Sequence, residues 1–192
     1  SLLRCQRLQA LLAAGREADA RAELAQVWAT GTSLPDACDA PLATARGRGW
    51  LGSELVWQRL RLAIEAGNAG LAGYLARQLP DGERADGERL ARALSDPAGT
   101  LRSAAGWPDG ERHREVVALA LKRMARTDVA GAIGHWEALA PRFSFAVEAR
   151  TAILQAIALY TAVAYRPDAE HWFEQVPVAG RHEQLLDWQL RA

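Results

Sequence analysis

The side chains in this 192-residue chain that could do chemistry are few and scattered. Its four histidines, His113, His135, His171 and His182, never fall into the HExxH spacing that sets two imidazoles on one helix face for a metal. "HRE" and "RHE" carry suitable residue types at the wrong spacing. They read as exposed or half-buried helix histidines, so neither a metal nor a cofactor is expected. Carboxylates can protonate a glycosidic oxygen or act as its base. Glu54, Glu65, Glu148 and Glu174, however, lie in amphipathic stretches that read as solvated helix faces. A catalytic acid needs a desolvating pocket to raise its pKa, and no local pattern marks one; no catalytic residue is assigned. The run "ARGRGWLG" lacks the lysine of a phosphate-binding loop and follows no strand, so it reads as a helix–helix turn. Its Arg46 and Arg48 could still meet an anionic polymer. Five of the seven tryptophans, Trp28, Trp57, Trp136, Trp172 and Trp188, occupy helical positions suited to packing, whereas Trp50 and Trp107 sit at turns. An exposed indole can stack its apolar face on a sugar ring. Trp50, Trp107, Arg46 and Arg48 are therefore the candidate glycan contacts, each with interhelix packing or ordinary solvation as its plainer role.

Cys5 and Cys38 are the only cysteines. As separate thiols on helices they would be buried and inert. As a pair they would tie the first helix to the helix after the "GTSLPDA" loop, which requires their Cα atoms to approach to roughly 5.5 Å. A bridge closing a loop of that length is worth about 3–4 kcal/mol in the chain-entropy treatment, and it needs an oxidising compartment. Spacing leaves both readings open.

The elements that must position these residues are helical throughout. Leu8, Leu11 and Leu12 form a stripe that Gly15 ends, and Ala20, Leu24, Val27 and Trp28 share a side of the next segment, which stops at Gly31. Asp36 is a candidate N-cap for a short helix through Ala45, Ser53 for "ELVWQRLRLAIEAGN", Asn68 for "AGLAGYLARQLP" and Asp128 for "VAGAIGHWEALAP". Further helices are expected over "GERLARALS" (87–95, broken at Asp96-Pro97), "AGTLRSAAG", "HREVVALALKRMART", Phe145 to Tyr165, "AEHWFEQV" and "RHEQLLDWQLRA". No stretch alternates with the period of a strand. The expectation is an all-α superhelix or solenoid of about ten or eleven short helices in antiparallel pairs, with roughly 30–35 residues per pair. That is tetratricopeptide-like in architecture but without the consensus of that repeat. Residues 1–192 read as one such domain segment, cut from a longer array because neither end carries a polar capping helix. The balance of 23 basic against 23 acidic residues gives no support to general binding of nucleic acid or membrane surfaces. No apolar run approaches the ~20 residues of a membrane span. Arg4, Arg7 and Arg16 interrupt the N-terminal run, which is not a signal peptide; if the protein is exported, its signal lies outside this chain.

The stretch "LRCQRLQALLAAGREADARAELAQVWATGTSLPDACDAPL" resembles a segment of the soluble periplasmic lytic transglycosylases, which cleave peptidoglycan. The residues that carry the likeness are Arg4-Cys5 and the run Trp28, Thr30, Gly31, Ser33, Pro35, Ala37, Cys38, Asp39. It continues through "RLRLAIEAGNAGLAGYLARQLP", with its core at Arg61 to Leu71. The likeness is specific over residues 4–80; beyond them only compatible helix patterns remain. The resemblance implies that Cys5 and Cys38 form a disulfide, a staple in a periplasmic α-superhelix. It implies a ring-like, non-catalytic body whose partner is a separate lysozyme-like C-terminal domain with its catalytic glutamate in a Glu-Ser motif. "GSELVW" places Ser53 before Glu54 and matches nothing in that domain, so no catalytic residue can be carried onto this chain. The parent enzyme implied cleaves MurNAc–GlcNAc bonds to 1,6-anhydro products, with this portion shaping access to peptidoglycan glycan strands or holding them. The other reading is a helical-repeat scaffold that binds protein partners of the cell-wall machinery.

Overall fold

A computed structural model describes residues 2–191, with twelve α-helices, two short 3-10 turns and no strand among them. Ser1 and Ala192, the ends on which the expectation of a cut array rests, lie outside the described residues. The chain groups into two compact units, Ser1–Ala91 and Arg92–Ala192. The fold is all-α as expected, with slightly more helices than the ten or eleven read from periodicity.

The first unit contains α1 (Leu2–Ala13), α2 (Glu17–Trp28), a 3-10 turn at Asp36–Cys38, α3 (Asp39–Gly47), α4 (Ser53–Glu65) and α5 (Ala69–Ala76); α6 (Asp81–Ser95) begins in it and runs past residue 91. Helix α1 packs on α2 and α3, and α4 packs on α5. Cys5, Leu8 and Leu11, spaced three apart, are the buried stripe of α1. Opposite them α2 buries Ala20, Leu24, Val27 and Trp28. Glu23 is buried beside this seam and is held by Arg4 at 3.5 Å and Arg7 at 3.3 Å. Gly15 and Gly67 make the reverse turns after α1 and α4. Each has φ of +70°, where a Cβ would be strained, and each turn returns the next amide to a carbonyl of the last helical turn (Arg16 N to Leu11 O, 3.0 Å; Asn68 N to Ala63 O, 2.8 Å). Three starts differ from expectation. Asp36 caps no helix: it is the first residue of the 3-10 turn, behind Pro35, and α3 begins only at Asp39 with Cys38 at its cap position. Ser53 is the first residue of α4 rather than its cap, because Gly52 occupies the cap position and no side chain caps that end. Helix α6 starts at Asp81, well before residue 87, because the Pro80 carbonyl accepts from the amides of Glu83 and Arg84 and acidic Asp81 and Glu83 suit a helix N-terminus.

A disulfide joins Cys5 of α1 to Cys38 in the turn before α3, with Cα atoms 4.9 Å apart and both side chains fully buried. The Cys38→Ala variant should lose about 3–4 kcal/mol of unfolding free energy by urea titration. The unreduced parent chain should resist alkylation in its folded form; two readily alkylated thiols would contradict the bridge.

The second unit contains α7 (Pro97–Ala104), α8 (Glu111–Ala125), α9 (Val129–Leu139), α10 (Val147–Val163), α11 (Ala169–Gln175), a 3-10 turn at Val178–Gly180 and α12 (Glu183–Gln189). Helix α8 packs on α7, α9 and α10, so it buries Val116 and Ala118 as well as the helical stripe of Val117, Ala120, Leu121 and Met124. Helix α10 meets α8, α9, α11 and α12, and is correspondingly apolar. It starts at Val147, two residues after Phe145, whose ring packs near Trp136 and Phe143 instead. Asp96 and Asp128 cap α7 and α9 by accepting from the amides of Gly99 and Gly131, both at 2.9 Å.

The loop entering α8 is tied to the loop entering α10 through Asp109. Its carboxylate accepts from Arg114 Nε (2.6 Å) and Nη2 (3.2 Å) and from the Ser144 amide (3.2 Å). The Arg114 hydrogen bonds, with those from Ser144, lower the Asp109 pKa to about 2. Because the folded value lies below the unfolded one (about 3.9), this tie is fully present above pH ~4 and is lost as pH falls through about 2. An NMR titration of the Asp109 carboxyl carbon should show its midpoint there, and Arg114→Gln should move it up toward ~4; a midpoint near 4 in the parent chain would refute the tie.

Candidate functional site

In the first unit the chain leaves α2 at Trp28 and crosses α4 as an irregular loop before the 3-10 turn. Irregular backbone against a core needs partners for its carbonyls, and two side chains from the α4–α5 hairpin supply them. Arg59 of α4 donates from Nε to the Thr30 carbonyl (3.3 Å) and from Nη2 to the Thr32 carbonyl (3.2 Å). Asn68, the cap of α5, donates to the Gly31 carbonyl at 3.5 Å while its Oδ1 accepts from the Leu71 amide at 3.0 Å. Gly31 lies so close to α4 that a Cβ there would run into the Leu62 carbonyl. Trp28 closes the base of the arrangement. Its Nε1 donates to the Leu55 carbonyl (2.7 Å), and the Arg59 guanidinium lies 4.4 Å from its ring centroid. Arg59 is only 4 % exposed, and that burial lowers its pKa; a guanidinium stays charged in proteins regardless.

These contacts frame a cleft of about 340 Å³. Trp28, Ser33, Leu34 and Arg59 line one part of it, Asp39, Leu42 and Arg46 of α3 another, and Gly70, Leu71 and Tyr74 of α5 the third. The cleft thus combines two cations, one carboxylate and an apolar wall.

Of the four expected glycan contacts, only Arg46 lines this cleft; it is exposed and donates to Gln78 Oε1 at 3.0 Å. Arg48 pairs with Glu17 at 2.9 Å. Trp50 is 8 % exposed, because the turn after α3 folds it inward under two guanidinium groups, Arg21 at 4.6 Å and Arg48 at 5.2 Å from its ring. Its faces meet arginines rather than standing open as a platform. Trp107 belongs to the second unit and is half-buried, its ring 5.1 Å from that of His113. Glu54, Glu65, Glu148 and Glu174 are all exposed, the opposite of the desolvated setting that raises a carboxyl pKa. Arg59 and Tyr74 went unrecognised as site residues in the sequence. Arg59 lies on an otherwise apolar face of α4, and a lone arginine there is the one local signal that could have marked it.

No protein-family model matches the chain. Over 111 residues it is 33% identical to the soluble lytic murein transglycosylase of Escherichia coli K12, a match that covers 56% of this chain and 17% of that protein. The structure of an inactive mutant of the lytic transglycosylase Slt from Pseudomonas aeruginosa superposes with a TM-score of 0.77 at 30% identity, over 98% of this chain and 30% of that one. The chain is homologous to a segment of the soluble lytic murein transglycosylases. The Salmonella typhimurium transglycosylase matches at 31% identity over 106 residues, 55% of this chain and 16% of that protein. The 70-kDa soluble lytic transglycosylase solved with bulgecin A shares the fold, with a TM-score of 0.75 at 22% identity over 29% of its chain. The chain therefore spans no more than 30% of any of these transglycosylases.

Gly31→Ala should destabilise the chain by about 2 kcal/mol, since the Leu62 carbonyl must move. Gly47→Ala, where a Cβ meets nothing within 4 Å, should stay within about 0.5 kcal/mol. Urea unfolding of the two variants side by side checks this; equal effects would show that the loop does not need its close approach to α4.

Proposed function

We propose that this chain is a non-catalytic superhelical portion of a periplasmic lytic transglycosylase. The whole enzyme would cleave MurNAc–GlcNAc linkages of peptidoglycan to 1,6-anhydro products in a separate catalytic domain, and this portion would shape the approach of glycan strands to that domain. The observation that carries the reading is the superposition of 98% of the chain on a portion of the Pseudomonas aeruginosa enzyme at 30% identity. The Cys5–Cys38 bridge supports it, because structural disulfides persist in oxidising compartments such as the periplasm. No helix among the described residues is long and apolar enough to cross a membrane, which fits a body that works in solution beside the wall.

Incubating the purified chain with protein-free sacculi tests both halves of the reading. The chain should sediment with the sacculi and release no soluble muropeptides. Release of anhydro-muropeptides would overturn the non-catalytic assignment. A chain that stays in the supernatant would overturn glycan contact and favour a scaffold for protein partners.

A further inference from the structure

The cleft of the first unit holds a charge that the fold does not neutralise. Arg59 serves the carbonyls of Thr30 and Thr32, which are neutral acceptors, and no carboxylate among the described residues forms an ion pair with it. Stacking on Trp28 offsets part of the cost of taking the cation out of water but leaves its charge in place. Its remaining amino group, Nη1, has no hydrogen-bond partner among the described residues. Among the described residues no sealed-in side-chain nitrogen or oxygen lacks a partner, so Nη1 keeps contact with solvent, and the open space that Arg59 lines is this cleft. Arg46 brings a second guanidinium, whose only hydrogen bond among the described residues is to the neutral amide of Gln78. Against these two cations stands one acid, Asp39, so the lining carries a single net positive charge.

We propose that this cleft is a binding site for a small organic monocarboxylate, its carboxylate set against Arg59 Nη1 and Arg46 and its apolar body against Leu34, Leu42 and Leu71. Three features fix the ligand class. A guanidinium with a free N–H edge forms its strongest hydrogen bonds to an oxyanion. One net positive charge matches a monoanion, whereas a dianion would exceed it and face Asp39. The volume, about 340 Å³, lies at the lower end of the ~300–1,000 Å³ typical of small-molecule sites, room for an acylated amino acid but not for a long chain of them. Half-exposed Tyr74 also lines the cleft, so its ring can pack on the ligand while part of it stays in water. The assignment needs only this charge and shape, and it stands or falls separately from the transglycosylase reading.

The test is an NMR titration of the isotope-labelled full chain with N-acetyl-leucine, with its neutral amide N-acetyl-leucinamide, and with inorganic phosphate. N-acetyl-leucine should give saturable shifts at the Leu34, Leu71 and Tyr74 amides and at the Trp28 indole, and the amide should give none. Arg46→Gln, an exposed change that leaves the helical circular dichroism intact, should weaken the acid about five- to tenfold. Arg102→Gln, in the other unit, should leave it unchanged. Arg59 is not the variant of choice, because removing it also releases the Thr30–Thr32 carbonyls. The proposal is overturned if acid and amide shift the same resonances equally, if phosphate binds as tightly as the acid, if no titration saturates at millimolar concentration, or if Arg46→Gln binds undiminished.

Discussion

A helix of seven to seventeen residues, the range found here, does not hold itself together in water. Nucleation costs too much, and too few hydrogen bonds follow. Every element of this chain therefore depends on having a face covered by a neighbour, and the connections must return the chain quickly enough to supply one. The same tight turn recurs after α1, α3, α4 and α10, with an amide beyond the helix reaching back to a carbonyl of its last turn. Gly15, Gly49 and Gly67 hold the left-handed position in three of them. In the fourth, Tyr165 holds it at φ 51°, a conformation that costs a residue with a Cβ about 1–2 kcal/mol. Its exposed ring sits edge-on to Trp188, 6.5 Å away.

Where helices are covered on more than one side, the demand on the sequence changes. Helices α8 and α10 bury residues around much of their circumference, and alanines take many of the positions where backbones come close. A single amphipathic stripe underestimates how much of α8 is buried for this reason. The edge helix α1 keeps a narrow stripe and gains its security from the Cys5–Cys38 bond instead.

The segment between α2 and α3 is secured at both ends by different means. Cys38 pins its far end covalently, and Arg59 with Asn68 pins its near end through carbonyls. The Arg59 contact has a consequence that a neutral donor would not have. A buried guanidinium can satisfy two carbonyls and stack on Trp28, yet it retains a charge and a spare N–H pair. Packing need and binding capacity thus arise from one side chain. The carboxylates of Glu54, Glu65, Glu148 and Glu174 remain in solvent, and none of them lines the cleft.

By itself the sequence determined the local order. The period of Leu8 and Leu11, the caps Asn68 and Asp128, and the glycines after α1 and α4 all act over a few residues, and their elements stand where the pattern puts them. Local signals failed where a neighbour's chemistry competed, as at Ser53, displaced from its cap by Gly52, and at α6, which begins at Asp81 rather than at residue 87. Cysteine spacing left thiols and a bridge equally open; the family resemblance implied the bridge, and the packing of α1 on the α3 turn brings the two Cα atoms to 4.9 Å. Only tertiary structure decided that Trp50 turns inward, and that Arg59 meets Thr30 and Thr32 across separations of 29 and 27 residues. Helical periodicity states which residues share a face. It says nothing about which loop will cross that face, and the cleft exists only because one does.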